Sequence, residues 1–102
     1  RRAAAACGRR ARGPAAGAAT FISASCGGCH TIDSLDNATG TVGPNLSESL
    51  VGRDAAFIQQ SIVSPDAVIA EGYTAGLMQA NSLNETEVAD VVALLLEASG
   101  GS

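Results

Sequence analysis

With 102 residues, the chain has room for one small domain around one modest core. It contains no run of about eighteen apolar residues, which excludes a membrane-spanning helix within it, and its large core residues are few: no Trp, one Tyr (Tyr73), two Phe (Phe21, Phe57) and one Met (Met78), with Ala inflating a hydrophobic content of 46%. The net charge of −4 hides a split, because five of the six basic residues precede every acid and Arg53 alone accompanies the ten carboxylates; an acidic folded part is repelled by nucleic acid and steered toward a basic protein partner.

Residues 1–13 are Arg, Ala and Gly with one cysteine and no apolar periodicity, and read as a disordered basic linker or the remnant of an export or anchor segment. The sequence starts at Arg in place of Met, so it is read as a processed or truncated piece, and any signal peptide or upstream anchor lies outside it. Cys7, in Ala5-Ala6-Cys7-Gly8, faintly resembles the end of a bacterial lipoprotein signal without the hydrophobic stretch that should precede it. It is either a lipidated membrane anchor or a plain free thiol. The domain proper is expected over 14–102.

Pro14 suits the first position of a helix, where its missing N–H costs nothing. Ala18, Phe21, Ile22 and Ser25 follow at helical spacing, predicting a helix over 14–26 that runs into Cys26. From Thr31 to Gly52 the chain shows little periodicity and contains Gly40, Gly43 and Pro44; so long a loop fits a compact domain if it wraps a ligand. Asp54 can cap a second helix through Val63, with Phe57, Ile58 and Ile62 inward. Ser64-Pro65 predicts a short helix to about Ala70, and 71–83, with Gly72 and Gly76 flanking Tyr73, reads as loop. Asn84 followed by Glu87 is a capping-box variant. It opens a helix that buries Val88, Val91, Val92 and Leu95 and stops at Gly100. With three or four helices, no strand and no internal repeat, the class is all-α.

Chemistry concentrates in Cys26-Gly27-Gly28-Cys29-His30. Two thiols close together at the end of a helix, followed at once by His, form the attachment pattern for a haem c: the thiols add to its vinyl groups and the imidazole comes beneath the iron. Three other uses of the pattern stay open from the residues alone. A thioredoxin-like dithiol belongs after a strand in a βαβ setting; a zinc site would have to recruit Cys7 beside Cys26, Cys29 and His30; a Cys26–Cys29 disulfide would leave His30 and the long loop unexplained. His30 is the sole histidine and the chain has no Lys, so Met78, in a Gly-containing loop, is the strong candidate for a second axial ligand. A lone Met is otherwise a core gap-filler.

These residues resemble the small class I c-type cytochromes over about 17–98. Gly17 with Phe21 looks like the family's first-helix pair, Gly43-Pro44-Asn45-Leu46 like its GPNL segment, and Leu83-Asn84 through Leu95 like its last helix. The resemblance implies an all-α class I cytochrome c fold, three to four helices wrapped around one covalent haem c. It further implies that the Pro44 carbonyl accepts the Nδ1–H of His30, that Leu46 packs on the haem face, and that Arg53 meets a haem propionate in place of standing solvated beside Asp54. Tyr73 would bond a propionate or the Met78 sulfur, or simply join the core. The stretch Ile62–Ile69 with Glu71-Gly72-Tyr73 and Met78 looks like the cytochrome c domains associated with subunit II of bacterial haem–copper oxidases. Two positions depart from the family: Gln79 follows Met78 where Pro is usual, and Leu94 stands where the last helix usually carries an aromatic.

The expected function is single-electron transfer by a haem c with His30/Met78 ligation, as a carrier and not an enzyme by itself. Its setting would be a bacterial respiratory chain, on the periplasmic face of the membrane, feeding or forming part of a terminal oxidase. The competing reading is a haem sensor or peroxidase-like protein with an open sixth position, which Gln79 favours.

Overall fold

The computed structural model describes residues 13–70, 72, 73, 76, 78 and 81–100. Apart from Gly13, the linker expected over 1–13, and Cys7 with it, lies outside the described residues.

Helix α1 (Pro14–Ser23) starts on Pro14 as the sequence predicts. No side chain of its own caps it; the cap comes from a carboxylate far along the chain, Asp90, whose Oδ1 accepts the Gly13 N–H at 2.9 Å. The helix predicted to reach Cys26 ends at Ser23. Ser25 then turns into the left-handed region at φ 66°, and Cys26–Gly28 form a single 3-10 turn. Two successive glycines are poor helix formers, and the tighter turn is what the neighbouring loop packs on.

The segment 31–52 is less irregular than its composition suggests. Thr31 and Thr39 pair in a lone antiparallel bridge, and Leu46–Ser49 form a short helix, α2, capped by Asn45, whose Oδ1 accepts the Ser47 N–H at 2.9 Å. Ile32, Ala38, Leu46 and Leu50 from this segment are buried, so it builds core as well as wrapping around a site. Helix α3 (Ala55–Val63) begins as predicted, with Asp54 Oδ1 accepting the Phe57 N–H at 2.8 Å. Ile58 and Ile62 are buried, whereas Phe57 is only half-buried, at the wall of a cavity.

The short helix predicted over 64–70 does not form; the segment is a run of turns. Val68 and Ile69 line the cavity in place of packing on protein, and so short a helix with no protein core beneath its apolar face has little to offset its nucleation cost. Helix α4 (Glu85–Ala98) has the predicted capping box, with Asn84 Oδ1 accepting the Glu87 N–H at 2.8 Å and Glu87 Oε1 accepting the Asn84 N–H at 2.9 Å. It buries Val88, Val91, Val92 and Leu95, and also Leu94 and Asp90. Gly100, at φ 80°, follows its end. Among the described residues the architecture is four helices and a 3-10 turn with no strand, and no helix is long and apolar enough to cross a membrane.

The packing of α1 on α4 is the most extensive helix contact. It depends on Gly17: a Cβ there would collide with the Asp90 carbonyl and stand 3.1 Å from the Leu94 Cβ. Gly17 therefore lets two backbones meet, and the aliphatic Leu94 suffices to cover the crossing. Since the obstacle is backbone, it cannot swing aside. Gly17→Val is expected to destabilise the protein by about 2 kcal/mol or more, read as a lowered midpoint in guanidinium denaturation.

Candidate functional site

The site is built around the turn 26–30. Cys29 N–H and His30 N–H both donate to the Cys26 carbonyl, at 3.1 and 3.0 Å. The following loop folds back over this turn: Gly40 N–H donates to the Gly27 carbonyl at 3.0 Å, and Gly43 N–H to the Cys29 carbonyl at 2.7 Å. Thr31 Oγ1 donates to the Gly40 carbonyl at 2.9 Å. Contacts this short need glycine, because a Cβ on Gly40 would collide with the Gly28 carbonyl group and one on Gly27 would come within 2.8 Å of the Asn37 carbonyl oxygen.

His30 is buried at 9% exposure, with Nδ1 2.9 Å from the Pro44 carbonyl oxygen. A carbonyl only accepts, so Nδ1 carries the proton and Nε2 the lone pair. A Cβ on Gly43 would fall 2.5 Å from the His30 Cε1 and 2.8 Å from its Nδ1, so Gly43 and Pro44 together fix the ring. The segment that supplies them is tied down by Leu46 N–H donating to the Thr31 carbonyl at 2.8 Å and by Asn45 Nδ2 donating to Asp33 Oδ1 at 2.9 Å.

The two thiols are free, Cys26 half-buried and Cys29 exposed. Burial pushes the Cys26 thiol up, a backbone hydrogen bond partly counters this, and the adjacent Cys29 adds to the rise. A thioredoxin-like dithiol belongs after a strand in a βαβ setting, and among the described residues there is no strand. Among the described residues no three His, Cys, Asp or Glu side chains gather into a metal cluster.

Beside the turn lies a cavity of about 990 Å³. All eight site residues picked out from the sequence line it: Cys26, Cys29, His30, Pro44, Leu46, Arg53, Tyr73 and Met78. They come from four separate stretches of chain, and Met78 arrives from the loop before α4 at 37% exposure. The rest of the wall includes Val42, Leu50, Phe57, Val68, Ile69 and Leu83. Sequence reasoning missed Val42, Val68 and Ile69 as wall residues and took Phe57 for core. The available signal was apolar residues in non-helical segments bounded by Pro and Gly, where no protein core explains them. Arg53 stacks its guanidinium over the Phe57 ring, 4.4 Å from Cζ to centroid, a cation–π contact that keeps the cation at the cavity wall. Two thiols, one imidazole with its lone pair on Nε2 and one thioether, around an apolar hollow, fit a large flat apolar group with a soft-to-borderline metal at its centre. They do not fit a hard cation, which wants oxygen ligands.

A family model described as Cytochrome c matches residues 14–99, from the first residue of α1 to just past the end of α4. No curated protein matches the chain. The glycines of the attachment turn and its loop should be unequal. Gly40→Ala is expected to cost about 1–3 kcal/mol through backbone overlap, whereas Gly28, with nothing within 4 Å of its would-be Cβ, should accept Ala within about 0.5 kcal/mol. Chemical denaturation of the two variants, monitored by far-UV circular dichroism, checks the contrast.

Proposed function

The chain belongs to the cytochrome c family, with the covalently attached haem c and electron-carrier role of that family, and on that premise we propose that it transfers single electrons with His30 and Met78 as the axial ligands. The supporting observation is the convergence of both attachment thiols, the sole histidine and the sole methionine on one cavity, with the His30 tautomer already set by Pro44. When bound, the haem supplies a one-electron couple whose potential a His/Met pair raises relative to harder ligands.

The chain's own residues have distinct parts in this reading. Cys26 and Cys29 would hold the group through thioether bonds. The Pro44 carbonyl keeps the imidazole oriented and increases its basicity as a ligand. Leu46, with Leu50 and Ile69, would pack on the group and exclude water from it, which favours the less charged redox state. Arg53 would offer its guanidinium to a propionate, leaving the Phe57 face or sharing it. Tyr73, half-buried in the same wall, is a second candidate for a propionate or for the Met78 sulfur.

Cytochrome c domains are typically extracytoplasmic, and we place this one in the bacterial periplasm or on that face of the membrane. The likeness of 62–78 to oxidase-associated domains supports a respiratory role, feeding or forming part of a terminal oxidase. Its redox partner would present a basic surface, because Arg53 is the one cation against ten carboxylates from Gly17 onward. Electron exchange with such a partner should slow as ionic strength rises, and a flat salt profile in stopped-flow measurements would count against electrostatic docking.

Met78→Ala tests the ligation. Haem staining after denaturing electrophoresis should be unchanged, the red-region sulfur-to-iron absorption of the oxidised protein should vanish, and the reduction potential should fall. If the wild type already lacks that absorption, is high-spin when oxidised and binds cyanide rapidly, the sensor or peroxidase-like reading replaces this one; Gln79, where the family usually has Pro, is what favours that alternative.

A further inference from the structure

Met78 lies between α3 and α4, and two described residues before it, Gly72 and Gly76, take positive φ of 89° and 85°. Glycine at such positions has the least intrinsic preference for one conformation. Two side chains tie this segment down. On the near side, Asp66 Oδ1 accepts the Gly76 N–H at 3.0 Å. On the far side, Asn81 Nδ2 donates to the Ile62 carbonyl at 3.0 Å, while Asn81 Oδ1 accepts the Leu83 N–H at 3.1 Å. Both ties lead to the same place, the C-terminal end of α3 and the turn just after it. Ile62 is buried there, and the turn is closed by Ala67 N–H donating to the Ser64 carbonyl at 3.0 Å. Asp66 and Asn81 also line the cavity that Met78 lines.

We propose that Asp66 and Asn81 are positioning residues that clamp the Met78 loop to the end of α3 and so set how readily the sulfur leaves the sixth coordination position. The proposal rests on the reading of Met78 as axial ligand. Neither residue is a ligand in that reading. Asp66 holds the backbone two residues before Met78, and Asn81, three residues after it, ties the chain there to Ile62 and to the Leu83 N–H. An external ligand would take the sixth position only in the fraction of molecules in which the Met78 sulfur has left it, so its apparent affinity would report that equilibrium.

The experiment is imidazole titration of the oxidised, haem-loaded protein. Removing one net hydrogen bond from the closed state should raise the open fraction by about three- to tenfold. Asp66→Ala, which loses one such bond, should therefore bind imidazole about three- to tenfold more tightly than wild type, and Asn81→Ala, which loses two, at least as much, with unchanged haem attachment and helicity. Asp66→Asn, which keeps an acceptor oxygen, should return to near the wild-type constant. In a Met78→Ala background the same Asp66→Ala change should have no effect, since there is no sulfur left to displace. Hydrogen exchange on the wild-type protein gives a reading that needs no variant: the Gly76 and Leu83 amides should be protected.

Wild-type imidazole constants in both alanine variants, or amides at 76 and 83 exchanging at the rate of free peptide, overturn the clamp while leaving Met78 ligation standing. An effect of Asp66→Ala that persists without Met78 overturns it too, because the carboxylate would then act elsewhere. If Met78→Ala itself changes neither the red-region absorption nor imidazole affinity, the ligand assignment fails first and the clamp falls with it.

Discussion

The hydrogen bond from His30 Nδ1 to the Pro44 carbonyl is the constraint on which the rest of the site depends. It decides which imidazole nitrogen keeps its lone pair, and it does so with a backbone atom that has no alternative role. For Pro44 to arrive there, the chain must leave the 26–30 turn, reverse at the Thr31–Thr39 bridge and return across the same turn it left. The loop is therefore not slack. Its course is specified by backbone bonds from Gly40 and Gly43 back to Gly27 and Cys29, and by glycines at the places where no side chain fits between the two strands of chain.

The helices serve this arrangement by being rigid where the loop is not. α1 delivers the attachment turn, and α1 is held against α4 by a backbone-to-backbone approach at Gly17 and by the Asp90 carboxylate at its first N–H. A negative group at the start of a helix also complements the positive end of its dipole. The turn that carries Cys26, Cys29 and His30 is thus positioned by the last helix, although none of α4's own residues lines the cavity. α3 has the corresponding role on the other wall, contributing Phe57 and Ser61 to the lining directly and carrying the turn from which Pro65 to Ala70 extend.

The legibility of the sequence follows from how local each signal is. The helix starts at Pro14, Asp54 and Asn84 were readable because capping is settled within four residues. The Cys26–His30 motif was readable because its chemistry requires adjacency, and Met78 stood out as a candidate because it is the sole thioether in the sequence. The eight residues picked out from the sequence line one cavity, and each belonged to a segment with few other uses. What escaped depended on contacts distant in sequence. Asp90 looks like an ordinary exposed acid of an amphipathic helix until Gly13 is brought beside it, seventy-seven positions away. Phe57 has the spacing of a core residue, and only the hollow beside it turns it into wall. The helix predicted over 64–70 failed because Val68 and Ile69 have no protein core to cover, so the local propensity of the segment went unsupported by burial.

The pairing of Gly13 with Asp90 brings the start of the first helix to the middle of the last. From Asp90 to Ser99 the helix rises about 13 Å, a gap that roughly five extended residues can span. A circularly permuted protein, joined through such a bridge and reopened at the exposed Val51-Gly52 connection between α2 and α3, would retain every helix and every residue of the cavity. In that permutant the attachment turn would be translated after the methionine loop in place of before it. The fold thus fixes where these groups stand in space while leaving open the order in which the ribosome delivers them.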